Sequence, residues 1–523
     1  MLFNSYAFWG FLLAVILLCK WSSHRVQNTI LLAASYVFYG IWDWRFLPLI
    51  ATMTLVNFYL GIKIAESGEN KKRAKKFLTL SVIFSLGVLG FFKYWEFFTD
   101  STVAFVELLG FTPSIPLIEV LLPVGISFYT FQTMSYSIDV YRDKVKPTYN
   151  IADFALYVAY FPQLVAGPIE RSSSLLPQIT EKRTPSKGDF AEGLCLVMYG
   201  LFLKVVLADN LAYIANGAFS GDEGVSGADA LIGIYAFAFQ IYGDFAGYSS
   251  IARGVSKWMG IHLMTNFRMP YLAKNPSDFW QRWHISLSSW LRDYLYIPLG
   301  GNRCAAWKVY RNLMLTMLLG GLWHGAGWTF IYWGAIHGFV LCIYRVLDKG
   351  NGIGNKISQA FAVITTLAIS ALLVYKIWMG PTTLSKVPWI LAIAVLGFIL
   401  SRDIGAFIRS LKWNSVLGRL FFFQIICLTW LFFRADTIDQ VWDMLTLIFT
   451  DFRITEFTLY AFWMILFFAG PLMLYEIWLD RDHTLRRLEV VPWGWRAAAY
   501  CYITFFLLEF PPSQHGEFIY FQF

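Results

Sequence analysis

Charged side chains are scarce in this sequence. Asp, Glu, Lys and Arg make up 15% of its 523 residues, where a soluble domain carries roughly 25%. Hydrophobic residues reach 57%, aromatics 19%, and the mean hydropathy is +0.53. These values exclude a soluble globular protein and predict an all-α polytopic membrane protein. Cysteine is sparse too: the six residues (19, 195, 304, 342, 427 and 501) form no CxxC and no cluster, so neither a disulfide framework nor a zinc site is supported. No Walker loop, GxSxG elbow or HExxH pair is present, and GNGIGN at 350–355 reads as a loop, not a strand-to-helix dinucleotide turn. There is also no internal repeat and no low-complexity tail.

Apolar runs recur instead, with short polar breaks between them. They predict spans over 2–19, 27–42, 45–63, 77–92, 116–136, 151–168, 190–208, 229–249, 311–345, 357–379, 388–409, 416–433, 456–478 and 493–510. Several fall short of the ~20 residues that a full crossing needs, so some are expected to be tilted, paired or re-entrant. Residues 1–19 lack a basic n-region and a cleavage site, and are expected to stay as a membrane segment.

The net charge of +8 invites a nucleic-acid reading, but no basic patch is interleaved with base-stacking aromatics. Positive charge sits in short loops, above all Lys71, Lys72, Arg73, Lys75 and Lys76, which predicts that this loop is cytoplasmic and that the N-terminus, three spans earlier, is periplasmic. The basic segment 171–189 is expected on the same side. A simple count conflicts with that, so one of the three runs between them, or one loop assignment, has to give way.

Residues 240–303 differ from the flanks. Gln240, Asp244, Arg253, Lys257, Asn266, Arg268 and others lie among dense aromatics, a mixture too polar for lipid and too apolar for a water-exposed loop. Short buried helices and re-entrant segments around a cavity are predicted. Asn275 as N-cap, Pro276 at the first helical position and Asp278 in the first turn predict a helix running to about residue 290. On it Gln281, His284 and Ser288 would share one face. In the following apolar run Gly320, His324 and Gly327 would also share a face, the glycines allowing close approach of a substrate or of another helix.

Ionisable groups at bilayer depth are costly and usually face a cavity. His324 is therefore a candidate general base, with a satisfied buried histidine as the alternative reading. His284, Trp323 or backbone amides near the glycines are candidates for stabilising a developing oxyanion. His337, about 220° around an ideal helix from His324, reads as structural. Two histidines 40 residues apart without a clustered carboxylate do not suggest a metal site. A proton-coupled transporter using both histidines is the competing class, disfavoured by the lack of a repeat.

These residues stand in LPVGISFYTFQTMSYSIDVYR (122–142), YFPQLVAGPIER (160–171), DFAGYSSIARG (244–254), NFRMPYLAKNPSDFWQRWHISLSSWLRDYLYIPLGGNR (266–303) and GGLWHGAGWTFIYWGAIHG (320–338). The set resembles the membrane-bound O-acyltransferase (MBOAT) family, in the bacterial branch that includes alginate O-acetylases. The resemblance implies one membrane domain over 1–523, with a catalytic core at about 120–345 between flanking helices 1–119 and 346–523. Its fold would be a ring of tilted and re-entrant helices around a central pore or funnel. It also implies His324 as the essential histidine and His284 as a second active-site residue. Gln281, Ser288, Trp323, Gly320, Gly327, Asn302 and Arg303 would then be candidates for the substrate pocket.

Other implications of the resemblance concern partners. No cofactor would be bound; acetyl-CoA, or an acyl carrier, would present a cytoplasmic thioester. The acceptor would be an exported polysaccharide such as alginate, cellulose or peptidoglycan, reached with a separate extracytoplasmic SGNH-type acetyltransferase, at the bacterial inner membrane. Teichoic acid, lipid or protein would be the alternative acceptors. Tyr520, in the terminal FIYFQF, resembles the acyl-relay tyrosine of related systems; an interfacial aromatic anchor is the other reading.

Overall fold

A computed structural model describes residues 3–112, 120–221, 224–348, 416–480, 491–510 and 519. The expected spans 357–379 and 388–409 and the candidate Tyr520 lie outside the described residues. The described residues are helical and include no strand. Seven helical segments among them are long and apolar enough to cross a membrane.

The first three helices, α1 (Tyr6–Lys20), α2 (His24–Asp43) and α3 (Leu47–Glu66), run up and down. Phe8 packs on Phe38, while Gln27 donates to the Cys19 carbonyl at 3.0 Å, so α1 and α2 are antiparallel. The start of α1 therefore lies at the opposite end from the 71–76 basic cluster. That cluster is not a loop, as its charge suggested, but the first turns of the 38-residue α4 (Lys71–Leu108). Asn70 caps this helix by accepting from the Arg73 amide at 3.0 Å. A helix this long, about 57 Å at 1.5 Å per residue, extends past the bilayer and carries its cations clear of it.

The run 151–168 is not a span. It folds as α6 (Ile151–Ala159) and α7 (Phe161–Leu164), after α5 (Ile126–Tyr141). Nine residues of helix cover only about 14 Å, too little to cross. This removes the conflict over the two basic segments. Arg183 reaches Asn28, near the start of α2, at 2.6 Å, and Lys71 pairs with Asp143, just past α5, at 3.0 Å. Both segments thus lie at one end of the molecule, hereafter the basic face. The second of them contains α8 (Ser172–Thr180).

Two helices organise the centre. The expected span 190–208 is longer than predicted: α9 (Lys187–Leu201) continues through a π-helical stretch, Phe202–Ala208, into α10 (Asp209–Phe219). Beside it stands α11 (Gly227–Trp258), 83% of whose most apolar stretch is buried inside the protein, against 22% for α4. The polar residues 240–257 therefore belong to one long central helix, not to short re-entrant pieces. Its contact with α9 is a glycine seam. A Cβ on Gly200 would lie 2.7 Å from the Gly247 carbonyl oxygen, and one on Gly254 would lie 2.5 Å from that of Gly193. Side chains there would separate the backbones.

The short-segment expectation holds further on, in α12 (Pro276–Arg282) and α13 (Ile285–Leu291). The run 311–345, expected as one span, is a hairpin of α14 (Ala306–His324) and α15 (Trp328–Asp348), because residues 325–327 leave helical geometry, Gly325 being extended at φ −153°. Then come α16 (Val416–Arg434), an unanticipated α17 (Ile438–Thr450), α18 (Glu456–Asp480) and α19 (Trp493–Glu509).

Close packing of the α14–α15 hairpin rests on Gly321, where a Cβ would sit 2.2 Å from the Phe330 carbonyl oxygen. Gly321→Val is expected to lower stability by about 1–3 kcal/mol, the usual scale for overpacking. Thermal unfolding in detergent measures it; an unchanged midpoint would show that the hairpin can open without cost.

Candidate active site

His284 occupies a break between helices, not the middle of one. The predicted start is in place: Asn275 accepts from the Asp278 amide at 2.9 Å and Pro276 follows it. The helix then ends at Arg282, Trp283 is extended, and His284 takes a left-handed conformation with φ 43°. A strap of residues 266–268 competes for the backbone here. Arg268 donates its amide to the Arg282 carbonyl at 2.9 Å, while the Ile285 amide donates to the Asn266 carbonyl at 2.8 Å. The Ser286 hydroxyl and amide both donate to Asn266 Oδ1, at 2.9 and 3.2 Å. A non-glycine residue in this region costs about 1–2 kcal/mol and persists only where its surroundings hold it.

The break separates the side chains expected on one face. Gln281 is exposed, and Ser288, half-buried, spends its hydroxyl on the Trp283 carbonyl at 3.1 Å. His284 is fully buried, with Phe245 at 4.6 Å and Trp323 at 5.6 Å between ring centroids. Its Nδ1 lies 3.5 Å from Ser286 Oγ, and its Nε2 has no hydrogen-bond partner among the described residues.

His324 is the last residue of α14. Its ring meets Trp323, Trp333 and Phe433 at 5.1, 5.1 and 5.3 Å, and His284 edge-on at 6.1 Å. The structure thus brings together three predicted site residues: His284, Trp323 and His324. Gly327 lies beyond the end of α14, so it does not share a helical face with His324; Gly320 remains on that helix, against Leu291. Asn302 and Arg303 are exposed, in the turn before α14, with Asn302 accepting from the Tyr296 hydroxyl at 2.8 Å. His337 is on α15, a different helix from His324, so the angular argument does not apply to it. It packs on Trp333 and Trp280 at 4.6 and 5.1 Å.

Two pockets lie near this pair, the first lined by His324 and neither by His284. A cavity of about 280 Å³ is lined by Lys93, Gly125, Ser127, Phe128, Trp323 and His324, with Trp42 at its edge. Lys93 lies 22 residues beyond Lys71 on α4, about 33 Å along the axis, and Trp42 ends α2 at the far side from His24. The cavity is therefore on the side away from the basic face. A second pocket, only about 20 Å³, is bordered by Tyr199, Tyr242, Ser249, Arg253 and Asn266. Arg253 lies near the end of α11, one turn from Lys257, which pairs with Glu192 in the second turn of α9 at 3.0 Å. This pocket faces the basic side, and Asn266 links it to His284 through Ser286. Among the described residues, no three of His, Cys, Asp or Glu converge as a metal site would require.

Several residues around the site were not anticipated. The Lys93 amine donates to the Trp323 and His324 carbonyls at 2.6 and 2.9 Å, and Tyr94 donates to Leu322 at 2.8 Å, so α4 caps the end of α14. Lys204 pairs with both Asp209 and Asp244, at 2.8 and 2.7 Å. Asp244 also accepts from the Ile519 amide at 2.7 Å, which places Ile519 against α11. Glu476 accepts from the hydroxyls of Tyr199 and Tyr242. A signal for each was present: Lys93, Lys204 and Glu476 are the only charged residues in the apolar runs 77–95, 193–208 and 457–479.

Comparison with known proteins adds the chemistry. The model of the membrane-bound O-acyltransferase family, MBOAT, matches residues 142–350. The chain is 41% identical to the probable alginate O-acetylase AlgI of Azotobacter vinelandii, over 86% of this chain and 78% of that one. It is 47% identical to the protein of the same name from Pseudomonas aeruginosa, over 71% and 70%. The chain belongs to the membrane-bound O-acyltransferase family. It is a multi-pass membrane acyltransferase, and the transporter alternative gives way to that class. It is also 39% identical to the peptidoglycan O-acetyltransferase of Helicobacter pylori, over 60% of this chain and 64% of that one. The family match covers α12 to α15, and so contains both histidines and Trp323.

Proposed function

We propose that this MBOAT protein takes acetyl groups from acetyl-CoA, or an acyl carrier, on the cytoplasmic side of the bacterial inner membrane and passes them outward for O-acetylation of an exported polysaccharide. The observation that carries this reading is the place of His324, on the wall of the cavity remote from the basic face and 6.1 Å from His284. The names of its relatives, alginate O-acetylases and a peptidoglycan O-acetyltransferase, support a polymer hydroxyl as final acceptor. By the positive-inside rule the basic face is cytoplasmic and the N-terminus periplasmic.

In the chemistry proposed, a hydroxyl enters the outer cavity and the thioester carbonyl is held between the histidines. His324 takes the hydroxyl proton as oxygen attacks the carbonyl carbon. The tetrahedral intermediate then collapses, and the leaving thiolate recovers the proton. The Nε2 of His284, buried without a hydrogen-bond partner among the described residues, holds the acyl group in this reading. The first hydroxyl to arrive is that of Tyr520, beside the anchored Ile519; a phenol with a reference pKa of ~10 needs a base at neutral pH. An extracytoplasmic SGNH-type acetyltransferase then moves acetyl from Tyr520 to the polymer.

In a strain lacking that partner, mass spectrometry of the C-terminal peptide is expected to find acetyl on Tyr520, and Tyr520→Phe to abolish polymer acetylation. An unmodified Tyr520 there, with a fully active phenylalanine variant, removes the relay and leaves direct transfer.

A further inference from the structure

Acyl transfer builds negative charge on the carbonyl oxygen, and the largest catalytic effects come from donors aimed at that oxygen. The histidines do not settle what supplies them. The indole N–H groups of Trp323 and Trp333 are buried here without a partner among the described residues but carry no charge, and the backbone carbonyls that end α14 point the wrong dipole at a developing anion. One cation lies on the cavity wall beside His324: Lys93.

Its placement is specific. Lys93 is the only charged residue between 77 and 95, and no ion pair with a carboxylate is seen for it among the described residues, whereas the buried Lys204 and Arg282 are each paired with two carboxylates. Its Nζ is fixed instead by the Trp323 and His324 carbonyls, at 2.6 and 2.9 Å, and sits 5.8 Å from the Trp323 ring centroid. An ammonium has three N–H donors and no acceptor. Two are used on these carbonyls; the third remains for an oxygen in the cavity. The residue whose carbonyl holds the amine is also the residue whose imidazole is the proposed base, so charge and base are set at a fixed separation by one backbone unit.

We infer that the ammonium of Lys93 donates a hydrogen bond to the thioester oxygen as it becomes an alkoxide, making Lys93 a catalytic residue of the acyl transfer. Lys93 keeps its three protons throughout: the acceptor proton goes to His324 and from there to the departing thiolate, while the oxygen charge forms and discharges against Lys93. The inference rests on His324 and this cavity being the site of transfer.

Lys93→Gln separates capping from charge, because its amide can still donate to the two carbonyls. In the full chain reconstituted in lipid vesicles and given acetyl-CoA, Lys93→Gln is expected to keep its unfolding midpoint and donor KM, and to lose about 100-fold or more in kcat. Lys93→Arg is expected to recover part of that loss. A folded Lys93→Gln protein with wild-type kcat overturns the inference. Should the variant not fold, infrared difference spectra decide. With ¹³C-acetyl-CoA on His324→Ala protein, the carbonyl band is expected at lower frequency than in water; an unshifted band overturns the inference. Activity surviving in His324→Ala would instead overturn the placement of the site, a separable outcome.

Discussion

His324→Ala is expected to lower acetylation of the envelope polymer by about 100- to 10,000-fold, the range in which general-base catalysis contributes, while protein abundance in the membrane stays unchanged. The separation of the two effects follows from how the residue is held. The end of α14 is fixed through backbone carbonyls, by Lys93 and Tyr94, in bonds that do not use the imidazole. Removing the ring enlarges an existing cavity and leaves Trp323, Trp333 and Phe433 packed on their other neighbours. Polymer-bound acetate and immunoblots of membranes measure the two quantities. A variant acetylating normally would remove His324 as the base.

The second large effect is expected on stability. Lys204→Met leaves Asp209 and Asp244 buried and facing each other, both having been within 3 Å of the same nitrogen. Breaking a buried ion cluster by removing one partner typically costs about 3–5 kcal/mol, because the remaining charges stay desolvated. The same change loosens the carboxylate that accepts from the Ile519 amide. Lower thermal midpoint and reduced folded yield are expected together. Changing Asp209→Asn and Asp244→Asn in the same chain is expected to return most of the loss, since neutral amides carry no uncompensated charge. A single Lys204→Met variant melting like the wild type would show that water already reaches the cluster.

Much of the architecture was legible because bilayer physics writes it in composition. Long apolar runs gave α2, α3, α16, α18 and α19 within a few residues and the middles of the longer α4 and α11, and the Asn-Pro-Ser-Asp start of α12 was read correctly. What periodicity could not show was where helices stop. The break at His284 comes from amide and carbonyl groups being taken by Asn266 and Arg268, over 14 residues away in sequence. The end of α14 depends on Gly325 and on Phe330, against which a Cβ there would come within 2.1 Å. Local sequence holds no trace of such long-range competition.

The site was half visible. Histidines in apolar surroundings stood out, and His284 and His324 do converge, but from a break and a helix end, not from two polar faces. Gln281, Ser288 and Gly327 were grouped with them by assuming continuous helices, and that assumption fails. Lys93, Lys204 and Glu476 were readable by the same rule that singled out the histidines, one charge within each apolar run. Asn266 offered no such signal, since its role depends on the strap passing the break.

The account stands on the cavity beside His324 being open to the outer face, with only the small pocket at Arg253 and Asn266 on the basic side. Ser127 lines that cavity and is 7% exposed, so a cysteine there reports access directly. In a chain with the six native cysteines replaced, a small membrane-impermeant thiol reagent is expected to label Ser127→Cys when added to intact spheroplasts. It is expected not to do so when added only to the cytoplasmic side of inverted vesicles. Labelling from the cytoplasmic side alone, or protection from both sides, would contradict the account.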